Sequence, residues 1–164
     1  TRKQHLGHGD TLHTTLMRPK SRGSVTLQSA DPYQAPLIDP GFFTHPDDMA
    51  VAIKGARLGF DVLESKAMAP YRGKRLHPFD IKDDKAMEAF LRATCDTEYH
   101  PVGTCRMGPD SDAMAVVDGQ LRVRGIERLR VVDASIMPNL VTGNTNAPTM
   151  VIGEKAADLM RAGN

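Results

Sequence analysis

Residues Leu129–Met160 read LRVVDASIMPNLVTGNTNAPTMVIGEKAADLM, and the chain changes character twice within them. Val131 and Val132 make a short apolar strand stopped by Asp133. A polar turn region, VTGNTNAPT, follows. The remainder is helical in pattern: Thr145 or Asn146 can cap it, Pro148 suits its first turn, and Gly163 closes it. Met150, Val151, Ala157 and Leu159 are its expected apolar side. A strand that ends in an acid, followed by a helix whose first N–H groups lack partners, is a setting for a large anionic cofactor. Spacing alone does not name that cofactor, and Asn144 and Asn146 read equally well as turn and capping residues.

Just upstream, AVVDGQLRVRG (Ala115–Gly125) has a hairpin pattern, with Asp118-Gly119 as a two-residue turn between extended runs. Before it stands TEYHPVGTCRMG (Thr97–Gly108), where Pro and Gly predict a loop of fixed turns. Three chemistries are open to this loop. Cys95, His100 and Cys105 fall five residues apart, which supplies three metal donors at a spacing unlike a zinc knuckle. Cys105, with His100 and Arg106 nearby, could serve as an activated thiol, although a packed, inert one fits as well. His100, held by Pro101 and the turn at Gly103, could serve as a fixed proton acceptor.

Toward the N-terminus the periods are clearer. Val25 and Leu27 alternate with Ser24, Thr26 and Gln28, which predicts a half-buried strand between turns at Arg22-Gly23 and Asp31-Pro32. APLIDPGFF offers a second extended piece closed by Asp39-Pro40-Gly41, so an antiparallel pair is expected. From Pro46, Met49, Ile53, Ala56, Phe60 and Leu63 recur at spacings of three or four, an amphipathic helix entered at His45 or Pro46. Asp47 and Asp48 suit its first turn, and Gly55 and Gly59 point to close packing on a neighbour. Asp80 opens a second helical pattern over Ile81–Ala93, with Met87, Phe90 and Leu91 on its apolar side.

The whole chain has 164 residues, 40% of them hydrophobic and 25% charged. That composition is globular and large enough for a real core. Lys and Arg total 21 against 20 Asp and Glu, a net charge of +1, which gives no electrostatic case for nucleic acid or anionic lipid as main partner. The two cysteines, Cys95 and Cys105, are expected as separate thiols in or near the core. The opening TRKQHLGHGD has no initiator Met and no signal core, so the chain is expected to be a processed product or an excerpt. A cytoplasmic setting is expected, with any attachment to the inner membrane left to regions outside this chain.

YHPVGTCRMG, the Leu129–Met160 stretch and LMRPKSRGSVTLQSADPYQAPLIDP closely resemble the C-terminal part of the glucose–methanol–choline oxidoreductases, nearest their choline- and alcohol-dehydrogenase-like members. The resemblance covers almost the whole chain. It implies an α+β class: an antiparallel-sheet substrate domain backed by helices, plus the last strands and helix of a Rossmann-like FAD domain. By that pattern residues 1–105 are mainly substrate domain and residues 106–164 return to the FAD domain. The family's active-site histidine falls on His100 and its partner on Asn144. Asp133 and Ala134 fall on a backbone turn near the FAD ribose and pyrophosphate, and Thr145 and Asn146 near the pyrimidine edge of the flavin. The implied reaction oxidises a small alcohol to an aldehyde or ketone. The hydroxyl proton goes to His100, the hydride goes to flavin N5, and Asn144 holds the alcohol oxygen. The electron acceptor, oxygen or a quinone-type carrier, stays open.

One family feature is absent: the chain has no GxGxxG turn. The expectation is therefore that it forms the C-terminal third of an enzyme, requires the remainder of the flavin domain, and alone binds FAD poorly. Its last strand and helix would be disordered, rearranged or covered by a second copy. The competing expectation is a non-catalytic binding or assembly domain derived from the same family.

Overall fold

The computed structural model describes residues 8–163; the readings that fall on residues 1–7 and on Asn164 lie outside them. The element order is β1 (Ser24–Thr26), β2 (Leu37–Asp39), α1 (Pro46–Leu63), α2 (Asp84–Thr94) and α3 (Asn146–Arg161), with a 3₁₀ turn at Ala134–Ile136 before α3. The architecture is a small α/β mixture with one two-stranded sheet and three α-helices among the described residues. The chain divides into two compact units. One holds the described residues up to Leu16 and Phe42–Asp96, and the other holds Met17–Gly41 and the described residues from Thr97 on.

In the first unit α1 begins where a β-conformation His45 accepts the Asp47 N–H through its own Nδ1 at 3.2 Å. Pro46 occupies the first turn, where its missing N–H costs nothing, and Asp47 and Asp48 meet the positive end of the helix. Met49, Ala56 and Gly59 lie on the buried face. A Cβ at Gly59 would sit 3.0 Å from Leu12 Cδ2, so this glycine admits the N-terminal segment against the helix. The second helix starts later than its pattern suggests. Asp80 is spent on a turn, accepting the Lys82 N–H, and Asp83 caps α2 by accepting the Lys85 N–H at 2.9 Å. Met87 of α2 is fully buried. Beside it Phe79 and Phe90 stack at 4.8 Å, and Phe60 of α1 meets Phe79 edge-on at 5.7 Å.

In the second unit β1 and β2 pair antiparallel, with Val25 opposite Ile38, as the alternation predicts. The expected half-burial is corrected, because both strands are exposed along their length and Ile38 keeps 68% of its surface. Val117, Leu121, Ile136 and Ala156 form the core, flanked by Met107, Val123, Val131, Ile152 and Leu159. The hairpin reading is also corrected in detail. Val117 bridges Val123, but the turn runs through Leu121 rather than closing at Asp118-Gly119. The Asp118 carboxylate accepts both the Gln120 and Arg122 N–H groups, which holds the longer turn. Leu121 takes a left-handed φ of 65° there, sustained by its burial in the core. Val131 joins only an antiparallel bond to Leu121, and Asp133 ends the extended run by capping the 3₁₀ turn. The helix α3 is well formed, but its apolar face differs from expectation. Ile152, Ala156 and Leu159 face the core at spacings of four and three, whereas Met150 and Val151 stay 65% and 67% exposed.

Candidate active site

Three separate segments of the second unit are stitched together around His100. The loop that follows it is bonded to the 3₁₀ turn: the Cys105 N–H donates to Ser135 O at 3.0 Å, and the Met107 N–H to Ile136 O at 2.8 Å. Gly103, at φ 87°, makes the bend between them, and a Cβ there would press on Met137 O at 3.2 Å. On the far side of the turn, Asn139 Oδ1 accepts from Arg22 Nη2 at 2.9 Å, which ties the β1 approach to the same floor. The chain then leads to Asn144 and the start of α3.

The half-buried His100 lies between the two residues at that start. Its Nδ1 is 2.9 Å from Thr145 Oγ1, and its Nε2 is 3.0 Å from Asn144 Nδ2. A carboxamide nitrogen only donates, so Nε2 carries the lone pair and the ring proton sits on Nδ1, donating to Thr145. A neutral imidazole with an exposed amide over its lone pair can accept a proton from a small hydroxyl compound inserted between them. Tyr99, directly before His100, has a left-handed φ of 62°, backbone strain of the kind found where a loop presents a side chain.

The residues expected near the cofactor come to two places. Asp133 caps the 3₁₀ turn by accepting the Ser135 N–H at 2.8 Å, with Ala134 as the first residue of that turn. Thr145 and Asn146 open α3. No side chain caps α3, and no acidic residue stands in its first turn. First-turn N–H groups without a side-chain cap, beside the His100 ring, suit an anionic or electron-rich ring system, so the residues present fit a flavin.

The other chemistries of the loop fare differently. Arg106 grips Asp112 with both terminal nitrogens, Nη2 donating to Oδ1 at 3.0 Å, and is therefore engaged away from the Cys105 thiol. Both cysteines are free thiols; Cys105 is half-buried, but Cys95 is exposed at the end of α2, correcting its placement near the core. Partial desolvation, helped by Asp96, nonetheless pushes the Cys95 thiol up and keeps it protonated. Among the described residues no three His, Cys, Asp or Glu side chains are grouped as a cation would need, and no helix is long and apolar enough to cross a membrane.

The GMC oxidoreductase family profile matches residues 19–153, which includes all of this site. The chain belongs to the GMC oxidoreductase family. Among its relatives, the alcohol dehydrogenase [acceptor] of Pseudomonas putida is 46% identical over 160 residues, 97% of this chain and 29% of that protein. The mitochondrial choline dehydrogenase of Homo sapiens is 47% identical over 151 residues, 92% of this chain and 25% of that protein. The chain thus spans between a quarter and three-tenths of the length of the GMC relatives it matches. Among solved structures, a formate oxidase of Aspergillus oryzae studied for its FAD modification superposes with a TM-score of 0.81 at 32% identity, covering 96% of this chain and 29% of that one. An FAD-dependent oxidoreductase from Chaetomium thermophilum gives 0.79 at 28% identity, covering 88% and 25%. Both of these solved structures are described by their FAD, and the sequence relatives are named as alcohol and choline dehydrogenases.

The Thr145 contact is the feature that sequence reasoning missed. Thr145 reads as a helix cap, and nothing local announces that its hydroxyl would meet a ring 45 residues away. The family resemblance placed Thr145 near the flavin, but not against the His100 ring.

Proposed function

We propose that this chain supplies the substrate-facing histidine and carboxamide of a flavin-dependent alcohol oxidoreductase. The observation that carries the reading is the Asn144–His100–Thr145 relay, which leaves Nε2 as an unprotonated acceptor at the exposed side. An alcohol hydroxyl entering between the two donates to Nε2, and Asn144 Nδ2 donates to the same oxygen. As the proton moves onto His100, the carboxamide bond to the developing alkoxide strengthens, which favours the transition state over bound alcohol. FAD, when bound, supplies the two-electron acceptor that takes the carbinol hydride. Asp133 and Ala134 would hold it through their backbone turn, and Thr145 and Asn146 through the opening of α3. The unpaired N–H groups there would favour negative charge on the ring by roughly 1 kcal/mol.

The alcohol is taken to be small because the relatives' names include choline and alcohol dehydrogenases. The domain assignment of residues 1–105 to substrate binding and 106–164 to the flavin side belongs to the same proposal. The test is kinetics of the intact, flavin-loaded enzyme. His100→Ala should lower kcat/KM by about 10²-fold or more, and Asn144→Ala by less. Near-normal alcohol oxidation by both variants, with flavin content unchanged, would remove the assignment.

A further inference from the structure

Thr145 stands at the capping position of α3, but its backbone is helical (φ −82°, ψ −7°) rather than extended, and its hydroxyl bonds no first-turn N–H. The residue is 8% exposed, and its carbonyl already serves Thr149, accepting the backbone N–H at 3.0 Å and the hydroxyl at 2.7 Å. Its hydroxyl makes a hydrogen bond with His100 Nδ1 at 2.9 Å. A threonine at a helix start ordinarily turns its oxygen back onto the helix. Here the capping bond is forgone and the oxygen is directed at the histidine instead.

The second observation comes from the opposite edge of the ring. Asn144 Nδ2, a donor, faces Nε2 at 3.0 Å, so the proton must be on Nδ1 and Thr145 Oγ1 must accept it. The Thr145 hydroxyl, which can accept as well as donate, is compatible with that tautomer. We propose that Thr145 is a positioning residue that holds His100 in the Nδ1–H form and at a fixed ring angle, so that Nε2 keeps its lone pair toward the substrate hydroxyl. The hydroxyl acts through His100 and touches neither substrate nor cofactor in this role. Without the acceptor only Asn144 still favours Nδ1–H, and once the alcohol displaces Asn144 from Nε2 the proton can move there, leaving no lone pair where the alcohol arrives. A wrong tautomer disables a histidine base even when its position is kept. This inference rests on the alcohol-oxidation reading for its functional meaning, but the pairing itself is a property of this chain.

The test is carried out on the intact flavin-bound protein labelled with ¹⁵N-histidine, at a pH where the ring is neutral. Long-range ¹H–¹⁵N spectra report which ring nitrogen carries the proton, with His100→Ala assigning the signal. Wild type and Thr145→Ser should show Nδ1–H; Thr145→Val, nearly equal in shape, should shift His100 toward Nε2–H. In the same proteins Thr145→Val should lose about tenfold in kcat/KM, chiefly in kcat, while Thr145→Ser stays within about twofold. An Nε2–H signal in the wild type overturns the proposal, and so does a Thr145→Val protein that is slow but keeps Nδ1–H. If valine prevents folding, the wild-type and serine spectra still decide. A protein that shows the expected tautomer change but whose alcohol oxidation ignores His100→Ala would keep the pairing and sink the reaction assigned above.

Discussion

Asp112 shows how one side chain can hold the loop that follows the histidine. A hydrogen bond from Arg106, then one from the Met114 N–H, keep its carboxyl below the ordinary carboxylate range, against a smaller opposing desolvation. A folded-state pKa below the unfolded one adds stability that is complete above the unfolded value, about 3.9, and is lost as pH falls through the lower folded value. Amide exchange at Met114 should therefore stay protected down to about pH 4 and open below it. Asp112→Asn should loosen the same amide at neutral pH and remove that acid-dependent step. Equal protection at neutral pH and at a pH low enough to protonate Asp112 in the folded state would contradict the clamp. His100 and Asn144 could be named from their motifs; the Arg106–Asp112 grip could not, because Arg106 read equally well as a partner for Cys105.

At the level of elements, the choice of caps separates what could be read from what could not. His45, Pro46, Asp47 and Asp48 leave one way into α1, and the helix begins there. Asp80, Asp83 and Asp84 offer several ways into α2, and the competition is settled by the turn that consumes Asp80. Asp83→Ala should lower stability to denaturant by about 1 kcal/mol, while Asp80→Ala should leave the start of the helix in place. Inside α2, Met87→Ala empties a fully buried position and should cost about 2–5 kcal/mol, read from the shift in urea midpoint. The turn after Val117 follows the same logic. Asp-Gly favours a tight hairpin, but two N–H bonds to Asp118 and the burial of Leu121 outweigh that local preference.

At the scale of the whole chain, exposed apolar residues are spread across all parts: Leu27 keeps 86% of its surface, Leu58 67% and Val151 67%. The 164 residues contain no GxGxxG phosphate turn of a dinucleotide site. Mixed with FAD at micromolar concentration, the chain alone should leave the flavin spectrum unperturbed and show no turnover. Stoichiometric binding in an absorbance titration would show that His100 and the start of α3 suffice as a binding site.

Local patterns were enough for α1, the β1–β2 pair and the helix after Asn146, and the family motifs singled out His100 and Asn144, which lie in contact. The helices depend on residues within a turn or two of one another, where periodicity and capping act, whereas His100 and Asn144 stand 44 residues apart and are joined by the family motifs alone. Tertiary structure alone decided which face of α3 is buried, where the Asp118 turn closes, and that Thr145 serves a ring rather than its own helix. Those outcomes arise from competition between local bonds and contacts with chain tens of residues away, and the winner exists only once the core of Val117, Leu121, Ile136 and Ala156 has assembled.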